Sequence, residues 1–254
     1  MLQSRISAAL LTAALLTAAL SMTVPALAQD RPQPAYHRTQ CIKAEPGKMA
    51  DLEQFALDAG HKGAMARANA GEFASALFLR SVLGGTEAPC DFVVVTIYNG
   101  FPPDPDSAMK LDAVLVAQDG FGRAEKGDYI RVDFMKPRPG QAEEWLKMER
   151  ESFKPLHQAR TEQGFLRGWT VATLAYPSGT SLPYTGATVN IMPDWKAVGN
   201  PGGGYAEAFK KAMPNAGMDA ISEKVSETRE IVRTELYRVI DMVGPMEKAT
   251  RTRR

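Results

Sequence analysis

Short apolar runs typical of β-strands alternate along this chain with longer stretches of helical periodicity, and the whole order occurs twice. Pro46-Gly47-Lys48 recurs as Pro139-Gly140-Gln141, and Gly71 recurs as Gly164, each at an offset of 93 residues. A strand-like run precedes each Pro-Gly pair, a helical stretch follows it, and two strand-like runs follow the recurring glycine. Features that recur in one order at one offset predict two copies of a single structural unit.

Each copy follows the order strand, helix, strand, strand, helix, which is that of the split βαβ unit of ferredoxin-like folds. The stretch 107–118 has a helical pattern, so the first copy lacks a fourth strand of its own or shares one, and the turn-like sequence at 119–122 predicts the boundary between the copies. We therefore predict an α+β protein with two ferredoxin-like βαββα(β) repeats packed sheet to sheet as an intramolecular α/β barrel. The predicted strands are 38–43, 73–83, 92–98, 129–136, 165–176, 187–192 and 232–243, and the predicted helices include 141–163 and 218–230.

The first 28 residues have the three parts of a secretory signal peptide. Arg5 supplies a positive charge, 6–20 is almost wholly apolar, and Ala26-Leu27-Ala28 places small residues at a cleavage site. A membrane anchor is the alternative, but the apolar run is short and rich in alanine for a span. We therefore expect a periplasmic or secreted protein with a signal peptide at 1–28, a linker at 29–36, repeats at 37–122 and 123–243, and a basic tail at 244–254.

Charge and cysteine content narrow the class of protein further. The chain has 30 basic and 29 acidic side chains, so its net charge of +1 predicts no nucleic-acid partner. No later stretch reaches the ~18 apolar residues of a membrane span, so no integral membrane association is predicted. Cys41 and Cys90 are an even pair in a chain expected to be exported, and both a disulfide and two free buried thiols remain open. The sequence has no Cys-x-x-Cys pair, and no metal site is predicted.

Two short motifs give each repeat a resemblance to a known superfamily. A strand followed by the Pro-Gly-Lys at 46–48 and an acidic helix resembles the opening of dimeric α/β-barrel units. Met192-Pro193-Asp194-Trp195 resembles the aromatic strand end of members similar to antibiotic biosynthesis monooxygenases. The resemblance covers about 37–243, and it implies cofactor-independent monooxygenases, haem-binding or haem-degrading enzymes, or small isomerases. The haem-degrading members carry a histidine on the helix after that strand end, and 196–213 contains none, so no cofactor is predicted.

The predicted helix at 141–163 carries the candidate catalytic residues. Glu149 and His157 are eight residues apart, so they lie on one stripe of a largely apolar helix face. Pro155 removes a backbone hydrogen bond in mid-helix, so we expect the helix to kink or restart there, with Lys154 outside α geometry. A restart would place His157 in a first turn, where the helix dipole lowers its pKa and favours a neutral base. The competing interpretation is that Pro155 serves packing and that His157 is half-exposed.

The later strands of the second copy carry the candidate substrate-binding residues. Arg167 and Trp169 share a face of the predicted strand 165–176, and such a pair can clamp an anionic or aromatic ligand. An arginine that covers a core tryptophan is the more common arrangement. The first copy has Ala64 and Ala74 where the second has His157 and Arg167, so a site is expected in the second copy. The predicted binding residues are Arg167, Trp169, Tyr184, Asn190 and Trp195, with Asp133 as a further polar candidate.

These residues are compatible with three functions. The first is an exported small-molecule-binding protein or a cofactor-independent enzyme, similar to a monooxygenase or an isomerase, with a cleft between the sheet and the helices of the second repeat. Its partner would be a small apolar or aromatic ligand, and self-association into a homo-oligomer is left open. The alternative is a non-catalytic structural or interaction protein of the cell envelope. The third is haem or tetrapyrrole binding with His157 as an axial ligand.

Overall fold

The computed structural model describes residues 35–83, 90–103 and 113–244. The predicted signal peptide, most of the predicted linker and the predicted tail beyond Gly244 lie outside these residues. The first strand begins at Tyr36 and the last ends at Val243. None of the helices in the described ranges is long and apolar enough to cross a membrane.

The described residues contain eight strands that close into one barrel, and every printed neighbour pairing is antiparallel. These strands are β1 Tyr36–Ile42, β2 Ser75–Leu83, β3 Phe92–Tyr98, β4 Ala113–Phe121, β5 Tyr129–Pro137, β6 Gly168–Tyr176, β7 Gly186–Met192 and β8 Arg229–Val243. The order around the barrel is β1-β3-β2-β8-β5-β7-β6-β4. It consists of the quartets β4-β1-β3-β2 and β8-β5-β7-β6, which have the same order, so the two predicted ferredoxin-like repeats and their closure into a barrel are confirmed.

The first repeat has a fourth strand of its own, contrary to the prediction of a helix over 107–118. Strand β4 occupies Ala113–Phe121 and pairs with β1 of its own repeat and with β6 of the other repeat. The turn-like pair Asp119-Gly120 lies inside this strand, next to a register shift. A Cβ atom on Gly120 would lie 2.9 Å from the carbonyl oxygen of Trp169. The glycine is therefore needed for close approach between two strands and does not mark a linker.

Seven α-helices in the described residues lie outside the barrel. They are α1 Met49–Phe55, α2 His61–Asn69, α3 Ala142–Met148, α4 Lys154–Glu162, α5 Trp195–Gly199, α6 Tyr205–Ala212 and α7 Met218–Thr228. A π-helical turn, Ala56–Gly60, joins α1 to α2, and another, Glu149–Phe153, joins α3 to α4. The two π-helical turns begin at positions that match in the two repeats, although the first repeat has Lys62 where the second has Pro155. Both repeats therefore share the π-helical turn, and Pro155 is not its cause.

The helix of the second repeat passes through Pro155 without the predicted departure from helical geometry. Lys154 has φ −57° and ψ −53°, so it is helical, and its N–H donates to the carbonyl of Glu149 five residues earlier. Pro155 follows within the first turn of α4, where a missing N–H is tolerated. The expectation that Lys154 leaves α geometry was wrong because the π-helical turn supplies the transition.

Side chains alternate along each strand between the barrel interior and the outer surface that the helices cover. On β5, Ile130 and Val132 line the interior, whereas Arg131 and Asp133 face the helices. A bulge in β8 changes this assignment partway along the strand, because Met135 pairs with Ile231 while Phe134 pairs with Arg233. As a result Arg229 and Ile231, before the bulge, face the helices, whereas Arg233, Glu235 and Tyr237, after it, face the interior.

Candidate functional site

A cleft of about 250 Å³ lies between the barrel and the helices of the second repeat. Strands β5, β7 and β8 supply its floor, and the π-helical turn, α4 and the start of α6 supply its cover. This is the region in which the sequence predicted a site. The side chains that give it a polar character are Arg131, Asp133, Glu149, His157, Arg160, Thr188, Asn190, Tyr205 and Arg229.

Glu149 is a carboxyl group inside this cleft that is only 1% exposed. Its Oε1 accepts a hydrogen bond from Nε1 of Trp145 at 3.0 Å and a longer one from Nη2 of Arg229 at 3.5 Å. Burial disfavours the carboxylate more than these two donors stabilise it, and the pKa of Glu149 is raised from 4.5 to about 7. The side chain can therefore take up or release a proton near neutral pH.

His157 lies in the same cleft, held between two aromatic rings. The Phe153 ring stacks at 6.1 Å and the Trp169 ring at 5.6 Å from the imidazole centroid. Burial, reinforced by the positive charges of Arg160 and Arg131, lowers the pKa of His157 to about 3. The imidazole is therefore neutral at physiological pH, as the sequence predicted, but burial rather than the helix dipole is the main cause.

Three arginines give the cleft an excess of positive charge. Arg131 has its partner, because its guanidinium contacts Asp133 at 2.9 and 3.0 Å. Arg160 donates to the carbonyl oxygens of Pro201 and Gly203, so it holds the loop before α6 but has no carboxylate there. Arg229 is buried, and within the described part of the chain its carboxylate contact is the 3.5 Å approach to Glu149.

Three polar side-chain atoms in the cleft are buried without a hydrogen-bond partner among the described residues. They are Nδ1 of His157 on α4, Oδ1 of Asn190 on β7 and Nε of Arg229 on β8. A buried polar atom without a partner costs about 1–3 kcal/mol, so such atoms are uncommon unless something else satisfies them. All three line one small cleft from three different elements. An oxygen-bearing ligand would satisfy them together.

The first repeat has no equivalent of this cluster at the matching positions. Ala56 stands where the second repeat has Glu149, and Ala64 stands where it has His157. Ala56 belongs instead to an apolar cluster with Phe78 and Phe92. The expectation that a site favours the second copy rests on these same alanines and stays a prediction.

The structure brings His157, Glu149, Asn190 and the further candidate Asp133 together but places the other predicted residues elsewhere. Arg167 precedes β6 and pairs with Asp128 at 2.9 Å and Glu125 at 3.2 Å, outside the cleft. Trp169 lies behind His157 in the core. The remaining two are Tyr184, which lines the barrel interior, and Trp195, which is 52% exposed and contacts Tyr129.

Sequence reasoning missed the three arginines of the cleft. Arg131 and Arg160 match Arg38 and Arg67 of the first repeat, so a comparison between the two copies does not single them out as site residues. Arg229 comes before the predicted strand at 232–243, and its direction depends on the bulge in β8. The alternation of Arg131 with apolar neighbours on β5 was the available signal.

The cysteine pair lies apart from the cleft. Cys41 and Cys90 are bonded to each other in the structure, next to the barrel interior. Within the described residues no group of three or more His, Cys, Asp and Glu side chains is placed to hold a metal ion.

The barrel of two ferredoxin-like units defines the fold class as the dimeric α/β barrel, formed here within one chain. No protein-family model matches the sequence, and no curated protein matches it significantly.

Solved structures of this fold do match. A candidate monooxygenase from Lactobacillus acidophilus aligns with a TM-score of 0.53 and 8% identity, over 84% of this chain and 96% of that one. A ferredoxin-fold protein of Listeria monocytogenes related to antibiotic biosynthesis monooxygenases gives 0.43 and 8%, over 82% and 96%. A haem-binding protein of Thermus thermophilus gives 0.43 and 11%, over 82% and 91%. At such identities the likeness concerns the fold alone.

Proposed function

We propose that the cleft binds a small, weakly acidic oxygen compound and that Glu149 exchanges a proton with it. The observation that carries this proposal is the juxtaposition of the buried Glu149 carboxyl with Arg229, which has no closer carboxylate among the described residues. The candidate monooxygenase shares only the fold with this chain.

The charge of the cleft favours a ligand that becomes an anion. Arg131, Arg160 and Arg229 oppose Asp133 and Glu149, and His157 is neutral, so the cleft carries one excess positive charge with Glu149 ionised and two with it protonated. Buried charges without partners are costly, and a bound oxyanion beside Arg229 removes that cost.

The proton step follows from the same geometry. The Glu149 carboxylate takes the proton of an acidic O–H or activated C–H on the ligand, which leaves Glu149 as a neutral acid and the ligand as an anion. The negative charge moves from a desolvated carboxylate to an oxygen next to the Arg229 guanidinium. Asn190 Oδ1 accepts from a second ligand hydroxyl, and His157 Nδ1 bonds a further oxygen or hydroxyl according to its tautomer.

The size of the cleft limits the ligand to a small molecule. Its volume of about 250 Å³ is below the roughly 300–1,000 Å³ of pockets for drug-sized ligands, which fits one ring or a short chain. Haem is at least as large as such ligands, so it exceeds the volume of this cleft. The residues present therefore do not fit haem, and adding haemin should give no Soret band that depends on His157.

Binding of benzoate and 4-nitrophenol tests the proposal, because 4-nitrophenol absorbs differently as phenol and as phenolate. We expect saturable binding of both, with 4-nitrophenol held as the phenolate at a pH where free probe is protonated. Arg229→Gln should weaken binding at least tenfold, whereas Arg167→Gln, outside the cleft, should leave it within twofold. Circular dichroism checks that both variants fold.

The pH dependence of benzoate affinity adds a test of Glu149 itself. Protonated Glu149 leaves Arg229 free to pair with the anion, so affinity should fall as pH rises through about 7 in the wild type. Glu149→Gln should remove that fall. Lack of saturable binding would favour the non-catalytic structural alternative, and an equal loss in Arg167→Gln would restore the predicted Arg167 clamp.

We also propose that this chemistry operates outside the cytoplasm. The bonded Cys41 and Cys90 support this placement, because stable disulfides are rare in reducing compartments. The signal-like sequence at 1–28 supports it independently. Cell fractionation with a tagged full-length chain tests it, and recovery of an uncleaved chain with free thiols from the cytoplasm would contradict it.

A further inference from the structure

The barrel interior is a second cavity, separate from the cleft and on the opposite face of the same sheet. Its volume is about 1130 Å³. Inward-facing branched side chains surround its middle from both repeats, among them Leu77, Val95, Val132, Val189 and Ile191. These positions alternate with the outward-facing residues of each strand, so most of the wall is apolar, and the inward-facing Glu235 of β8 interrupts it next to Val132.

The size and shape of the interior suit one elongated molecule. Eight-stranded barrels have interiors that are either filled by side chains or wide enough for one small ligand. Here small and medium side chains such as Thr39, Ala172 and Ala187 face inward, so the interior is wide. A seven-residue strand such as β1 spans about 23 Å, and this is the approximate length of ligand that the interior can hold.

A polar group stands at one end of this interior. Nε of Arg233 lies 2.8 Å from Oε1 of Glu235, yet neither atom makes a well-aligned hydrogen bond with the described residues. The Tyr237 hydroxyl donates to the other oxygen of Glu235. The Arg233 guanidinium also lies 4.2 Å from the Phe134 ring centroid, which fixes its position. The guanidinium is therefore held beside Glu235 and Phe134 at this end of the interior.

The opposite end of the interior has a different lining. His37 at the start of β1, Asn99 just after β3 and Gly244 just after β8 line it there, together with Gly122 after β4. These residues follow or precede strands, so the cavity extends to the rim of the barrel at this end. A ligand that enters this rim head first can therefore reach Arg233 with its head while its apolar part remains in the interior.

We propose that the barrel interior binds an elongated apolar molecule carrying one oxygen-containing head group, with the head at Arg233 and the body along the inward-facing leucines, valines and isoleucines. This site is distinct from the cleft and does not depend on the function proposed for it.

The test uses the full chain, the fluorescent apolar probe N-phenyl-1-naphthylamine, and oleate as the competitor with a head group. We expect saturable 1:1 probe binding that oleate displaces. Val95→Trp and Val189→Trp fill the interior from opposite walls, and each should weaken probe binding at least tenfold. Val95→Ala is the matched control, because it enlarges the space and should keep the affinity within threefold.

The head-group assignment has its own variant. Arg233→Gln should weaken oleate at least tenfold while it leaves the probe, which lacks such a head, within threefold. Equal effects on both ligands would overturn the placement of the head at Arg233.

A measurement on the unaltered chain decides the question if the tryptophan variants fail to fold. Isotope-filtered nuclear Overhauser effects should connect bound oleate to the methyl groups of Leu77 and Val132, which face the interior. They should not reach the methyl group of Met135, which lines the cleft. Absence of saturable binding, contacts to Met135 alone, or folded tryptophan variants with full affinity would overturn the proposal.

Discussion

Glu149 and His157 should make opposite and nearly cancelling contributions to the pH dependence of stability. The pKa of Glu149 is raised in the folded protein from 4.5 to about 7, so its contribution is fully present below pH 4.5 and is lost as pH rises toward 7. The pKa of His157 is lowered from 6.5 to about 3, so its neutral form favours folding above pH 6.5 and costs stability as pH falls.

The magnitude follows from the window that the two titrations share. Between pH 4.5 and 6.5 each group changes the free energy of unfolding with a limiting slope of about 1.4 kcal/mol per pH unit. Because the ends of the window lie near the unfolded pKa values, each contribution amounts to about 2 kcal/mol. In the wild type the two contributions nearly cancel, since the Glu149 contribution falls as pH rises while the His157 contribution increases.

Single substitutions should reveal the two slopes. Relative to the wild type, Glu149→Gln should become more stable by about 2 kcal/mol from pH 4.5 to 6.5, because only the His157 contribution remains. His157→Gln should become less stable by a similar amount over the same range. The double variant should run parallel to the wild type, which controls for every other titrating group.

Urea unfolding at five pH values, followed by circular dichroism, measures these differences. Four parallel profiles would refute the reasoning, because they would mean that both side chains titrate normally in a cleft open to water. Nuclear magnetic resonance of the His157 ring gives an independent check, with no protonation expected above about pH 4.

Three further variants test the packing of the fold. Replacing Cys41 and Cys90 by serine should lower the free energy of unfolding by up to about 4 kcal/mol, given a sequence separation of 49 residues, as measured by urea unfolding; equal stability would mean that the bond does not form in solution. Gly186→Ala should cost about 1–3 kcal/mol, because the new Cβ would lie 2.2 Å from Cη2 of Trp145. Gly63→Ala, in a helix with open space around it, should instead stabilise by about 0.5–1 kcal/mol, and a reversed order would contradict the packing.

The repeat was predictable from sequence because its signals are local. Apolar runs, the Pro-Gly pairs and the glycines that follow the long helices define seven of the eight described strands without tertiary information. Strand β4 was missed because Asp119 and Gly120 have the local signature of a turn, while their conformation is set by contact with Trp169 and Thr170 on β6. That contact joins the two repeats and is invisible to any local pattern.

The candidate site was predictable only at positions where the two repeats have different residues. His157 and Glu149 replace alanines of the first repeat and lie on one helix, so helical spacing was enough to pair them. Arg229 contacts Glu149 only because β8 pairs with β5 and then changes face at its bulge. A shift of one residue in that register would direct Arg229 into the barrel interior instead.

The fusion of two units explains how one of them can carry buried charges. The cleft of the second repeat holds Glu149 and Arg229 where the first repeat has apolar packing, and such charges cost stability. Strand β8 belongs to the second repeat, yet its Ile240 and Val243 complete the apolar cluster of the first. Since β2 also pairs with β8, neither sheet closes without the other, and unfolding of the second repeat would expose the core of the first. The apolar packing of the first repeat therefore helps to keep the second repeat folded. A substitution in the first core, such as Phe78→Ala, should lower the free energy of unfolding of the cleft region as well, although Phe78 lies outside the cleft.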